Sequence, residues 1–272
     1  MSHDMDPSLY RYRPKKALIG MVHLGALPGT PRSKSTVGCI IEQAIKDARI
    51  LTEAGFDALI LENINDIPYL RREVGPEIVA AMTAATAAVR AEVGVPLGVQ
   101  VLAGANRAAI SVALSSGAEF IRAEGYVFSH VADEGLMGEA DAGPLLRHRR
   151  NIGAQGIAIW CDLKKKHAAH AITADVSLAE TAKAAGFFDA DGLIVTGVAT
   201  GSPTDFHDVQ SVREATDLPL LVGSGVTPDT AASLLKVADG LIVGSWYKEG
   251  GQWQGAVDPR RAETLVEAAR RG

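Results

Sequence analysis

The chain reads as an α/β protein folded into a single (β/α)8 TIM barrel. Two observations predict this. Eight short β-branched runs alternate with longer Ala-rich amphipathic stretches. Their centres recur about every thirty residues, enough for one βα unit each. The length of 272 residues agrees, being long for an ordinary domain and typical for an eight-fold barrel. An open doubly wound sheet would have fewer strands and a Gly-rich dinucleotide turn after the first, which this chain lacks.

The predicted strands, in order, are ALIGMVH ending at His23, ALILEN ending at Asn63, PLGVQVL ending at Leu102 and FIRAEG ending at Gly125. GIAIWCDL ending at Leu163, GLIVTG ending at Gly197, PLLVGSG ending at Gly225 and GLIVGS ending at Ser245 complete the set. Between them, IIEQAIKDARILTEAG and PEIVAAMTAATAAVRAEVG read as helices stopped by Gly55 and Gly94. Thr227-Pro228-Asp229 and Asp258-Pro259 supply cap and first-turn residues for two later helices, the second of them the last. Residues 1–16 read as a polar lead-in and 17–272 as the barrel, with no linker dividing it.

Composition narrows the class further. Hydrophobic residues make up 47% of the chain but aromatics only 5%, so the core is built from Ala, Val, Ile and Leu. That mixture suits parallel strands covered by Ala-rich helices. A formal charge of −5 offers no broad basic field and excludes nucleic acid as the main partner. The densest basic run, Arg147-His148-Arg149-Arg150, reads as a solvated helix face. Cys39 and Cys161 form no C-x-x-C pattern and read as free thiols of a cytoplasmic protein. No apolar run approaches the roughly 18 residues of a membrane span, and the N-terminus lacks the apolar stretch of a signal peptide. A homo-oligomer is expected.

Polar residues cluster where the strands end. His23, Glu62, Asn63, Gln100, Arg122, Glu124, Asp162 and Thr196 all lie late in strands or just past them. A closed barrel brings those ends around one mouth, the face on which barrel active sites are built. His23 is a candidate acid, base, ligand or hydrogen-bond donor. Glu62 is costly unless it is exposed at the mouth or paired. Asp162 and Lys164 read as a charge pair. The run Lys164-Lys165-Lys166 reads as solvated, whereas a Schiff-base lysine needs a desolvated pocket. His167 and His170 have a spacing usable for metal but read more readily as surface histidines.

The sharpest signal is the pair of loops after strands seven and eight. Gly223-Ser224-Gly225 and Gly244-Ser245 share a Gly-Ser pattern. Glycine lets backbone N–H groups approach an anion, and a following helix start adds favourable partial charge. A phosphate site is predicted there, with the small-residue segment 196–203 beside it. Two long connections, Tyr126 to about Ala140 and Lys164 to Asp175, leave the same face and read as lid or binding loops.

GMVHLGALPGTP, LENINDIPY, ADEGLMGEADAGPLLRHRR, Lys166-His167, VTGVATGSP, VGSGVTPD and ADGLIVGSWYKEGG together resemble the BtpA/SgcQ family. The resemblance covers nearly the whole chain from about Ala17. It implies a barrel with phosphate-binding character, and mouth residues His23, Glu62, Asn63, Asp162, Lys166, His167 and Thr196. It names no reaction: the family is associated with photosystem I accumulation on one side and sugar uptake on the other.

Three functional expectations follow. The first is an isomerase, epimerase or aldolase-type lyase acting on a small phosphorylated metabolite such as a sugar phosphate. In it, His23, Glu62, Asp162, Lys166 and His167 carry the chemistry, and Asn63, Arg122, Thr196 and Gly197 bind substrate. Gly223, Ser224, Gly225, Gly244 and Ser245 hold the phosphate, and a divalent ion is a possible helper of unknown ligands. The alternatives are a non-enzymatic assembly factor, with an exposed apolar patch, and a metal-assisted hydrolase.

Overall fold

A strand buried on both faces sends alternate residues inward and outward, so apolar side chains must serve both sides. In the computed structural model, which describes residues 11–197 and 203–271, eight such strands occur. They are β1 (Ala17–His23), β2 (Ala58–Glu62), β3 (Leu97–Gln100), β4 (Phe120–Ala123), β5 (Ala158–Leu163), β6 (Gly192–Val195), β7 (Leu220–Val222) and β8 (Gly240–Val243). All pair in parallel with their neighbours in sequence, and β1 pairs with β8 to close the barrel. The strands β3, β4, β6, β7 and β8 stop two or three residues before their predicted ends, where the chain turns into the mouth loops.

Inside the barrel, Ile19, Met21, Ala58, Ile60, Phe120, Ala158, Trp160, Ile194, Leu221 and Ile242 form one apolar cluster. The outward residues join the helices in a second, larger core. The helices are α1 (Val37–Ala54), α2 (Pro76–Glu92), α3 (Asn106–Ser116), α4 (Ala142–Asn151), α5 (Leu178–Phe187), α6 (Phe206–Ala215), α7 (Pro228–Leu234) and α8 (Pro259–Arg270). In α1 the Thr36 hydroxyl caps the Cys39 N–H, Ile40, Ala44, Ala48 and Leu51 form the buried stripe, and Gly55 ends it. Helix α2 ends earlier than predicted, on Val93 in an extended conformation, so Gly94 lies outside it. Asp258 caps α8 as expected.

The N-terminal end of the barrel carries a device that repeats four times. The carboxylates of Asp57, Glu119, Asp191 and Asp239 accept from the backbone N–H of Leu18, Leu97, Ile159 and Leu220. Each acid directly precedes an even-numbered strand and reaches the start of the odd-numbered strand before it. Each also pairs with an arginine in the last turn of an even-numbered helix: Arg270, Arg90, Arg149 and Arg213 in the same order. Arg149 is therefore buried, and the basic run of α4 is not simply a solvated face. The described part of the lead-in joins this end too. Arg11 pairs with Asp191, and Tyr12 stacks on Phe120 and tilts against Trp160, with ring centroids 5.6 Å apart in each case. Residues 1–10 lie outside the described residues.

At the opposite end, the two long connections meet. His130–Ala132, Gly135–Met137 and Ala168–Ala169 form a three-stranded antiparallel sheet beside the mouth.

Candidate active site

Strand parity builds the site. Continuing the inward series of Ile19 and Met21 leads to His23, and that of Ala58 and Ile60 leads to Glu62. Phe120 leads to Arg122, Trp160 to Asp162, Leu221 to Gly223 and Ile242 to Gly244. The β1–β2 register sets His23 directly opposite Glu62, and their Nε2 and Oε2 atoms lie 3.5 Å apart. On the β7–β8 side the inward positions are glycines, so no side chain fills the mouth there. A cleft of about 650 Å³, open to solvent, occupies that space. Its walls include His23, Glu62, Arg122, Lys166 and the loops Gly223–Thr227 and Gly244–Trp246.

Two of these glycines are demanded by geometry. A Cβ on Gly244 would stand 3.2 Å from the His23 Nε2 and 3.1 Å from the Met21 Cγ. Gly225 has φ +62°, a conformation costly for residues with a Cβ. Arg122 stands behind the first loop, its Nη2 3.7 Å from where a Gly223 Cβ would be. The cleft thus offers small-residue backbone backed by a fixed positive charge.

Arg122 is held by Asp162 in a bidentate pair, Nε–Oδ1 2.9 Å and Nη2–Oδ2 3.0 Å, with both side chains buried. This corrects the expected Asp162–Lys164 pair. Lys164 turns away to donate to the Val176 carbonyl. The three lysines go three ways: Lys165 is buried against Glu124 and Glu134 at 3.4 and 3.7 Å, and Lys166 lines the cleft. The expectation of a solvated run therefore fails. Its cause is local backbone: Lys164 and His167 both have positive φ, which breaks the strand's alternation just past β5.

The electrostatics favour neutral forms. Burial, reinforced by Lys248, holds His23 well below its ordinary value, and burial raises Glu62. Lys248 is buried and pushed down to about 8, chiefly by desolvation. Its Nζ is 2.9 Å from the His23 Nδ1 and 3.2 Å from the Trp253 carbonyl. The same Nδ1 lies 3.2 Å from the Trp253 carbonyl, so it either accepts from the Lys248 ammonium, which leaves the proton of the neutral ring on Nε2, or donates to that carbonyl. Sequence reading missed Lys248; its only signal was a lysine closely following the eighth strand.

Other candidates lie elsewhere. Asn63 is buried under the β2–α2 loop, where it donates to Asp66 and accepts from the Leu102 N–H, both at 2.8 Å. His167 is exposed and outside the cleft wall. Thr196 and Gly197 line a neighbouring cavity with Lys164, Lys165 and Lys166. The remainder of that small-residue segment, 198–202, lies outside the described residues. His170 sits beside His130, ring centroids 5.5 Å apart. Among the described residues no group of three or more His, Cys, Asp and Glu could hold a metal ion. Both Asp162 oxygens are committed to Arg122, so that carboxylate is not free to bind a metal ion. No described helix is long and apolar enough to cross a membrane.

Fold and site together define a parallel (β/α)8 barrel with a polar, partly charged cleft at the C-terminal ends of its strands. The chain belongs to the BtpA family, whose model matches residues 14–271. A mitochondrial protein of Caenorhabditis elegans is 43% identical over 255 residues, covering 92% of this chain and 91% of that one. The photosystem I biogenesis protein BtpA of Synechocystis is 35% identical, covering 94% and 88%. Among solved structures, (S)-3-O-geranylgeranylglyceryl phosphate synthase of Thermoplasma acidophilum, in complex with sn-glycerol-1-phosphate, superposes with a TM-score of 0.61. It shares 17% identity, covering 95% of this chain and 94% of that one, a likeness of fold alone.

Proposed function

We propose that the protein is an enzyme acting on a small phosphorylated metabolite, moving a proton beside a carbonyl in an isomerase, epimerase or aldol-type reaction. One observation carries this reading: the two glycine-serine loops and the His23–Glu62 pair face each other across a single cleft. Backbone N–H groups of Gly223, Ser224, Gly225, Gly244 and Ser245 hold the phosphate, and Arg122 supplies the charge behind them. Glu62, raised by burial, is the proton carrier; the neutral His23 polarises the carbonyl through Nε2–H in the tautomer whose Nδ1 accepts from Lys248. The fold is shared with a synthase whose structure holds sn-glycerol-1-phosphate, which agrees with a phosphorylated ligand.

The test is a thermal-shift panel of triose, tetrose, pentose and hexose phosphates against the unphosphorylated sugars. Hits are then followed by NMR for exchange of the α proton in deuterated water. Phosphate-dependent stabilisation with exchange that disappears in Glu62→Gln is expected. Stabilisation by none of the phosphates would end the reading.

A second reading, an assembly factor, draws on Leu70, Val131, Leu136 and Ile172, large apolar residues exposed on and around the small sheet. It also draws on the name of the Synechocystis relative. It predicts that function survives loss of His23 and Glu62.

A further inference from the structure

Four lysines stand at least partly buried around the mouth, and three of them are accounted for. Lys164 donates to the Val176 carbonyl, Lys165 is paired with Glu124 and Glu134, and Lys248 is held by His23 and the Trp253 carbonyl. Lys166 differs. Its side chain lines the cleft, and among the described residues it has neither hydrogen-bond nor ion-pair partner. Its cleft neighbours include the Arg122 guanidinium, itself locked to Asp162.

We propose that Lys166 is the nucleophile of this cleft, forming an imine with the carbonyl carbon of a phosphorylated aldehyde or ketone. The proposal rests on the phosphorylated-substrate reading above and goes further by fixing the reacting group. A lysine attacks only as the free amine. Amines are kept free by removing water and placing another cation nearby. Lys166 is partly buried in the cleft wall, where the Arg122 guanidinium also stands; burial and Arg122 lower its proton affinity, outweighing the opposing carboxylates of Glu62, Asp162 and Glu124. Holding the phosphate does not require this lysine, since Arg122 already stands against Gly223.

The chemistry balances with groups on the same cleft wall. The amine lone pair attacks the carbonyl carbon, and the carbonyl π pair moves to oxygen. Protonated Glu62 gives that oxygen a proton and then takes the surplus proton from nitrogen, leaving a neutral carbinolamine. Glu62 next protonates the hydroxyl, water leaves, and the nitrogen lone pair closes the C=N bond. The products are a protonated imine, one water and the Glu62 carboxylate.

The test is reductive trapping on the whole protein. It is incubated with sodium cyanoborohydride and either glycolaldehyde phosphate or dihydroxyacetone phosphate, then digested and mapped by mass spectrometry. The expected result is a stable adduct concentrated on Lys166. It should be suppressed by inorganic phosphate, weak with unphosphorylated glycolaldehyde, and lost in Lys166→Arg and Lys166→Met. No adduct, or one spread over surface lysines as in heat-unfolded protein, overturns the proposal. Turnover retained by Lys166→Arg overturns it equally, because a guanidinium keeps the charge and cannot form the imine. Glycerol 3-phosphate, which has no carbonyl, separates the two readings. If it stabilises the protein while no adduct forms, only the imine falls; if it fails as well, both fall.

Discussion

His23 and Glu62 make the residue-scale argument, since each is an ionisable group that burial has driven toward its neutral form. Removing either leaves the apolar layer beneath it untouched, because Met21 and Ile60 fill the barrel below. His23→Ala and Glu62→Gln are therefore expected to keep a wild-type melting profile and lose turnover by about 10²–10⁴-fold. Unfolding with activity retained would mark both as structural. His130 makes a different prediction. Its ring is buried, its Nε2 has no partner among the described residues, and burial, Lys165, His170 and Arg72 together lower it to about 4. Its unfolded counterpart binds a proton below about 6.5, so the unfolded state holds more protons between those values. Stability should fall as pH drops through that window, by up to about 1.4 kcal/mol per unit from this group. Carboxylates raised by burial, such as Glu62, act in the opposite sense near its lower end. The decisive measurement is thus a difference: urea unfolding at several pH values, with a shallower slope for His130→Phe than for wild type.

At the scale of elements, the strands were legible and the loops were not. Two-residue alternation leads from Ile19 to His23, from Ile60 to Glu62 and from Trp160 to Asp162, and all three starting residues lie in the barrel interior. Beyond β5 that rule stops, because Lys164 and His167 take left-handed backbone. Hence the lysine run read as one solvated stretch although its three side chains separate. Asn63 lies apart from the cleft for a similar reason: it is one residue past β2, where loop hydrogen bonds rather than sheet parity aim the side chain. Partnerships between strands were also beyond reach, so Asp162 was matched to a sequence neighbour instead of Arg122 on β4. The loops after β7 and β8 give the prediction at this scale. Both carry glycine at an inward position, and Gly223→Val or Gly244→Val places branched carbon where a Cβ would already stand 2.9 Å from Ile194 or 3.1 Å from Met21. Each should abolish thermal stabilisation by phosphorylated ligands. Melting without ligand controls for folding, and stabilisation that survives both changes would move the anion elsewhere.

Across the whole molecule the two ends of the barrel divide the labour, and the charges at the N-terminal end belong to stability. The four acid–arginine clamps tie each odd-numbered strand to the acid preceding the next strand, so they act on closure of the barrel as a unit. Sequence reading passed over them because each acid looks like an ordinary turn residue before a strand, as in FDALI or ADGLIV. Their environments differ in a way that ranks them. Asp191 has a side chain 12% exposed and pairs with Arg149 at 7%, while Asp57 and Arg270 are 36% and 44% exposed. A more buried acid leaves more unsatisfied donors when removed, and here these include the Ile159 N–H and two guanidinium groups. Asp191→Ala should therefore cost about 3 kcal/mol and Asp57→Ala only about 1 kcal/mol. Neither should change the stabilisation conferred by a phosphorylated ligand, since the clamps lie at the opposite end from the cleft. Chemical denaturation of both variants checks the order. Equal losses would show that burial does not set the strength of the clamps, and a changed ligand response would show that the two ends are coupled through the barrel interior.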